Sequence, residues 1–211
     1  MRLPTLLLLA AATLTALAVG AVAVLGPPDD PVEPERETAF RTTPLDGFET
    51  TTLTVPRAGF CSAVDPRQVE AALGGEPVDA QSYDNGEEVT LAEGVTDVAH
   101  EFGCTWVRDD QSQARAWVFA PPVDADRARG LVRAAARQKN CQASPTPAYG
   151  SPSVGLLCTG EAGERASYQG LFGDAWLTCE LSLNDPEVTG TELLLRTGAW
   201  CVGVAKGASG A

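Results

Sequence analysis

The sequence contains a single histidine, His100, and this scarcity restricts the chemistry open to the chain. Any Ser-His-Asp or Cys-His arrangement would have to use that one residue. The sequence also lacks a Gly-Lys-Ser/Thr phosphate loop, a Gly-x-Ser-x-Gly elbow and a His-Glu-x-x-His zinc motif. His100 itself lies where a polar stretch gives way to a strand pattern, which is typical of a partly exposed surface residue. The sequence therefore predicts no catalytic residue, no metal ligand and no cofactor.

Basic residues are also scarce. The chain has 15 Lys and Arg against 28 Asp and Glu, which gives a formal net charge of −13. Nucleic acid and anionic lipid are bound through basic faces, so this composition predicts neither as a partner. The excess of carboxylates is typical of a well-solvated surface, and secondarily favours cationic partners.

The six cysteines include no Cys-x-x-Cys pair, which disfavours a redox-active dithiol or a zinc cluster. An even number of cysteines in an exported chain indicates disulfides. The order of the predicted elements favours pairing of the cysteines in sequence order. Each cysteine lies at the end, or on the inner side, of a predicted element, and its partner belongs to a neighbouring element. The expected pairs are Cys61 with Cys104, Cys141 with Cys158, and Cys179 with Cys201.

The amino terminus has the pattern of an export segment. The 23 residues from Leu3 to Leu25 carry no charge. As a helix they would be about 34 Å long, slightly more than the roughly 30 Å hydrocarbon core of a bilayer. That length favours a retained anchor, whereas Ala-x-Ala patterns at 16–18 and 21–23 leave a cleaved signal peptide open. We expect residues 1–26 to be a signal anchor or a signal peptide, and the chain from Asp29 onward to lie outside the cell.

Two further regions follow the export segment. Residues 27–38 combine four prolines with five carboxylates, so we expect an extended acidic stalk at 27–56. The 155 residues from 57 to 211 contain all six cysteines and have the length of one domain.

Capping residues followed by apolar side chains at helical spacing indicate three helices in that domain. The first is expected at 66–73, after Asp65, and the second runs from Asp124 to about residue 138. The third is opened by Asp185-Pro186-Glu187, although 200–204 also fits a strand. The outer face of the second helix is basic, through Arg127, Arg133 and Arg137.

Alternation of apolar and polar residues indicates two hairpins. One pairs 102–107 with 114–120, and the other pairs 166–172 with 176–183 around Gly173-Asp174. In the last of these runs Cys179 alternates with polar residues and so belongs to the buried face.

The rest of the domain has weaker patterns. We expect a short strand at 154–158, a loop at 143–152, and at most one strand in the polar region 76–98, where Asn85-Gly86 is a turn. Together these elements predict an α+β fold, an antiparallel sheet of hairpins with helices packed on one face and stapled by disulfides.

Three other groups of residues are candidates for binding. The acidic stretch at 84–88 fails the calcium-loop pattern, because Gln81 and Tyr83 stand where carboxylates are needed, though a looser site at Asp84, Glu87 and Glu88 stays open. Carboxylate pairs for glycoside hydrolysis meet in space and leave no sequence signal. Four tryptophans suit either core packing or a binding face, and core packing is favoured for those in strand patterns. They are Trp106, Trp117, Trp176 and Trp200.

Residues 60–106 resemble a group of small exported actinobacterial proteins of unknown function. Cys61, a short helix pattern ending at Leu73-Gly74 and a later Cys104-Thr105-Trp106 are similar to features of the DUF3558 lipoproteins. The chain differs from them in having no cysteine before Cys61 and four after Cys104. The resemblance implies an extracytoplasmic location and a disulfide-supported fold, and it implies no activity.

These observations together favour a non-enzymatic binding or interaction module of the cell envelope, anchored in the membrane or secreted. Its expected partner is an envelope protein or a glycan. The alternative is a cell-wall hydrolase, or a similar enzyme, that uses paired carboxylates.

Overall fold

The computed structural model describes residues 40–92, 94–144, 147–160 and 163–211. They belong to one compact unit, Phe40–Ala211. The expected export segment at 1–26 and residues 27–39 of the expected stalk lie outside the described residues. No helix among the described residues is long and apolar enough to cross a membrane.

Residues 40–56, which we expected in the stalk, pack with the compact unit instead. Leu45 and Val55 are buried in its core, and a short 3-10 turn at Leu45–Gly47 contacts the C-terminal helix. The domain therefore begins earlier than its cysteine-rich part suggested, because this segment supplies apolar side chains that the core uses.

The centre of the domain is an antiparallel sheet of seven strands in the order β1-β4-β5-β9-β8-β7-β6. Its strands are β1 Asp79–Tyr83, β4 Glu101–Val107, β5 Gln113–Phe119, β6 Cys141–Ser144, β7 Ser153–Gly160, β8 Gly163–Phe172 and β9 Ala175–Ser182. A separate two-stranded sheet pairs β2 Glu88–Ala92 with β3 Val95–Val98. The expected α+β class with an antiparallel sheet is confirmed.

Among the described residues, three helices cover the sheet. They are α1 Pro66–Leu73, α2 Ala125–Ala135 and α3 Gly190–Ser209. The first two begin where the sequence predicts, because Asp65 and Asp124 each accept a hydrogen bond from the backbone N–H of the first turn. The first ends at Gly74, whose φ of 76° is a left-handed conformation that glycine adopts without strain.

One face of the sheet is used for the main core. Leu177, Cys179 and Leu181 point from β9 to this face, and α1 and α3 pack on it. In α3 the side chains of Trp200, Cys201 and Val204 are fully buried against the sheet. The segment 200–204 is therefore helical, and the alternative of a strand is wrong.

The second helix lies on the opposite face, which corrects our expectation that all helices share one face. Trp176 and Leu171 are each followed along their strand by a residue of the main core. Because successive side chains of a strand point to opposite faces, these two point away from that core. They form a second cluster with Val123 and Ala128, and Leu131 of α2 packs against it. The helix covers only the end of the sheet where this apolar patch lies.

Both expected hairpins are confirmed, as β4–β5 and β8–β9. The expectation of at most one strand in 76–98 is wrong, since three strands occur there, with Gly86 in the turn after β1 at a φ of 93°. These strands are mostly exposed and so lack the apolar alternation that marks a half-buried strand. Cys141 is the first residue of strand β6, which the sequence did not predict.

The structure contains the three disulfides expected from the sequence, and no described cysteine is free. Cys61–Cys104 joins the turn before α1 to β4, and Cys141–Cys158 joins the paired strands β6 and β7. Cys179–Cys201 joins β9 to α3 across the core, with a Cα–Cα distance of 5.6 Å.

Replacing the core bridge by the pair Cys179→Ala/Cys201→Ala should lower the free energy of unfolding more than Cys141→Ala/Cys158→Ala. The two bridges close chain separations of 22 and 17 residues, so the chain-entropy contribution is about 3 kcal/mol for each. Only the core pair is fully buried, and its removal also costs packing contacts. Chemical denaturation of both variants checks this, and equal losses would contradict it.

Tyr149 is a buried aromatic residue whose hydroxyl has no hydrogen-bond partner among the described residues. Its ring packs edge-on against Phe172 and Tyr168, with ring centroids 5.0 and 6.2 Å away. Burial raises the pKa of Tyr149 well above its usual value, so the phenol stays neutral.

Tyr149→Phe should therefore raise the free energy of unfolding by about 1 kcal/mol, because it removes an unpaired buried hydroxyl and keeps the ring. The matched control is Tyr168→Phe, which loses a hydroxyl that donates to the Leu194 carbonyl at 3.3 Å and should be destabilising. An equal loss of stability in both variants would show that the Tyr149 hydroxyl is hydrogen-bonded in solution.

Candidate functional site

The face of the sheet opposite the main core is only partly covered by α2. Beside the helix it carries a regular set of mainly polar side chains, of which Ser167 and Thr178 are buried and the others are at least partly exposed. Three neighbouring strands, β5, β9 and β8, each contribute three residues in register. We call this set the polar grid. Its rows across the three strands are Gln113-Ser182-Arg165, Arg115-Glu180-Ser167 and Trp117-Thr178-Gln169.

The grid arises from strict alternation in the central strands. Ala114, Ala116 and Val118 of β5 are buried on the core face, so the residues between them face the open side. The same alternation in β9 places Thr178 and Glu180 beside them. Because these are central strands, the positions of the side chains are fixed by paired backbone on both sides.

Glu180 occupies the centre of the grid and is the focus of its electrostatics. Its side chain is 16% exposed, and two guanidinium groups approach it, Arg115 on β5 and Arg165 on β8, each at an N–O distance of 3.9 Å. A distance of 3.9 Å allows Coulomb attraction but is too long for a hydrogen bond. The donors of both arginines are therefore not used by Glu180.

Other residues hold these arginines and extend the charge. The Arg115 guanidinium lies 5.5 Å from the ring centre of the half-buried Trp117, a cation–π distance that orients it on the surface. Five grid residues, among them Arg115, Arg165 and Glu180, line a cleft. Lys139 and Asn140, which connect α2 to β6, border this cleft beside the Cys141–Cys158 bridge. The cleft has a volume of about 450 Å³. Among its described lining residues three are cationic and one, Glu180, is anionic.

Tyr83 and Glu101 border the grid on the side of β1. The Tyr83 hydroxyl donates to Glu101 Oε1 at 2.7 Å, and the ring lies over Gly103, where any Cβ would collide with it. Burial, and then this hydrogen bond to a carboxylate, raise the pKa of Tyr83 well above its usual range. The residue is thus a neutral donor that orients Glu101.

The structure does not bring the other sequence candidates into this cleft. His100 is exposed in the turn between β3 and β4. Asp84 and Glu87 lie in the turn after β1, where the Asp84 N–H donates to Glu87 Oε2 at 3.0 Å. Among the described residues no group of three His, Cys, Asp or Glu is placed to hold a metal ion.

Three of the four tryptophans are buried, and Trp117 is the exception. Trp106, Trp176 and Trp200 are buried, which confirms core packing for the two of them that lie in strands. Trp117 is half-buried on the open face. Sequence reasoning did not select Arg115 or Arg165, because the polar positions of β5, β8 and β9 become a set only when the strand order is known.

A second cleft, of about 430 Å³, lies beside α1 and contains two carboxylates, Glu70 and Glu76, near Trp106. Both carboxylates are exposed to solvent. An exposed carboxylate is fully hydrated and lacks the apolar surroundings that a catalytic acid uses.

Comparison with known proteins adds no assignment to this geometry. No family model, no curated protein and no solved structure matches the chain.

Glu180→Gln should make the grid a stronger binder of small anions such as sulfate, because it removes the one carboxylate among the described lining residues and leaves three cations. The free energy of unfolding should fall by at most about 1 kcal/mol, since both ion pairs are long and partly exposed. Calorimetric titration with sulfate measures the first effect. Glu187→Gln, at an exposed carboxylate before α3, is the control, and an equal gain in both variants would contradict a local effect.

Proposed function

We propose that the protein is a non-enzymatic binding module of the cell envelope, and that the polar grid holds the anionic group of its ligand. The observation that carries this proposal is the convergence of Arg115, Arg165 and Lys139 on one cleft of a protein whose net charge is −13. Cations gathered in one place against the overall charge favour an anionic ligand.

The arginines have the chemistry that such a ligand needs. A guanidinium group donates in a planar fork that matches carboxylate and phosphate oxygens. Arg115 and Arg165 approach Glu180 without hydrogen-bonding to it, so a bound anion can take their donors without breaking a bond. Trp117, whose ring centre lies 5.5 Å from the Arg115 guanidinium, helps to hold that donor group in place.

The frame beneath the grid supports recognition rather than conformational change. Its three strands are paired on both sides, and the Cys179–Cys201 bridge fixes the middle strand to α3. A site built on rigid elements loses little conformational freedom when it binds.

Location is supported by the same disulfides. Three bridges in a domain with no free described cysteine are typical of an oxidising, extracytoplasmic environment. Membrane attachment through residues 1–26, with the domain outside, is part of the proposal, and it rests on the uncharged run in the sequence.

The rival function, hydrolysis by paired carboxylates, is favoured by neither cleft. The grid cleft has one carboxylate among its described lining residues, whereas a glycosidase uses two. The α1 cleft has two, Glu70 and Glu76, and both are exposed to solvent.

Binding of three probes to the full-length protein tests the proposal: glucose, glucuronate and glucose 6-phosphate. The two anionic probes should bind at least about tenfold more tightly than glucose, since one charge-assisted hydrogen bond contributes about 1.5 kcal/mol or more. The preference should disappear in Arg115→Gln/Arg165→Gln and persist in Arg41→Gln/Arg67→Gln, which removes two exposed arginines elsewhere. Equal binding of the three probes, or an unchanged preference in the grid variant, would refute the proposal.

A further inference from the structure

Charge is segregated along the chain into two blocks of opposite sign. Residues 68–107 contain nine carboxylates and no Lys or Arg. Residues 127–160 contain five Lys and Arg and no carboxylate. The net charge conceals this division, because the acidic block outweighs the basic one.

The fold turns this segregation into two opposite ends of one sheet. The acidic block contains β1, the first strand of the seven-stranded order, together with the β2–β3 hairpin that follows it. The basic block contains β6, the last strand of that order, and most of α2, which contacts β7 and β8. We call these the acidic edge and the basic edge. Their exposed charged residues include Asp79, Glu87, Glu88 and Asp97 on the first, and Arg129, Arg133, Arg137 and Lys139 on the second.

The strands at the two edges, β1 and β6, pair on one side only within the sheet. The charges of the basic edge lie on α2 and in the connection from α2 to β6, and β6 itself carries none. An edge strand presents backbone N–H and C=O groups that can pair with a strand of another molecule. In β1 the side chains of Asp79 through Ser82 are all exposed, so this edge is accessible.

The sign of the charges decides which edges can meet. If both edges carried the same sign, every edge-to-edge contact would be repulsive, which is the usual protection against association. When the two edges have opposite signs, only a contact between two acidic edges or between two basic edges is repulsive. Contact between the acidic edge of one copy and the basic edge of another is attractive.

Of the three arginines named on the basic edge, one has an ion-pair partner among the described residues. Arg129 pairs with Asp126, whereas Arg133 and Arg137 form no ion pair with any described residue. Arg129 and Arg133 are four residues apart, a spacing at which like charges destabilise a helix. Carboxylates from outside the domain would relieve this repulsion.

We propose that the domain associates head to tail with further copies of itself, the acidic edge of one copy docking on the basic edge of the next. The contact is heterologous, so it leaves one free edge of each sign and can extend into a row of copies or close into a ring. It uses neither Arg115 nor Arg165 of the polar grid, and the edge variants that test it leave Lys139, which the cleft and the basic edge share, unchanged.

Sedimentation of the full-length protein tests this proposal. Dimers and larger species should form at about 0.01 M salt and dissociate at about 1 M, where the Debye length falls from about 30 Å to about 3 Å. Two edge variants, Arg133→Gln/Arg137→Gln and Glu87→Gln/Glu88→Gln, should each be monomeric alone. An equimolar mixture of them should form a one-to-one dimer, because each retains the edge that the other lacks.

Arg41→Gln/Arg67→Gln is the control for the loss of positive charge and should associate like the wild type. A mixture of the two edge variants that stays monomeric would overturn the proposal. So would retention of the wild type on polyphosphate, lost in Arg133→Gln/Arg137→Gln, while the wild type remains monomeric at low salt. That result would assign the basic edge to a linear polyanion instead of a second copy.

Discussion

The disulfide between Cys179 on β9 and Cys201 on α3 fixes the C-terminal helix to the sheet across the main core. Strand β9 is the middle strand of the sheet, and both cysteines are fully buried. By holding α3 on one face, the bridge assigns that face to the core. The helix contains Gly198, Gly203 and Gly207, so its own propensity is low and the tertiary link matters more for it than for α1 or α2.

Once one face is used for the core, the other is available for function. Its far end is closed by Trp176 and α2, and the polar grid occupies the open part. The charge is also divided, with carboxylates on β1 and the β2–β3 hairpin and basic residues on α2 and in its connection to β6. A protein with an acidic composition can thus present a cationic cleft and a basic edge, which the net charge alone does not indicate.

The sequence predicted the features that depend on local signals. The caps Asp65 and Asp124, the turn at Gly173 and the inward Cys179 each act within a few residues, and the structure has all of them. Exposed strands in 76–98 were missed because nothing buries one of their faces. The polar grid was missed for another reason. Arg115 and Glu180 become neighbours only through pairing of distant strands, and that pairing has no local signal.

Fluorescence quenching with ions of opposite charge measures whether the face opposite the core is open and cationic. Trp106, Trp176 and Trp200 are at most 9% exposed, so Trp117 beside Arg115 is the tryptophan that quenchers can reach. Iodide should quench part of the emission, caesium should have little effect, and Trp117→Phe should remove the iodide-sensitive part. Quenching by caesium as strong as that by iodide would contradict a cationic face.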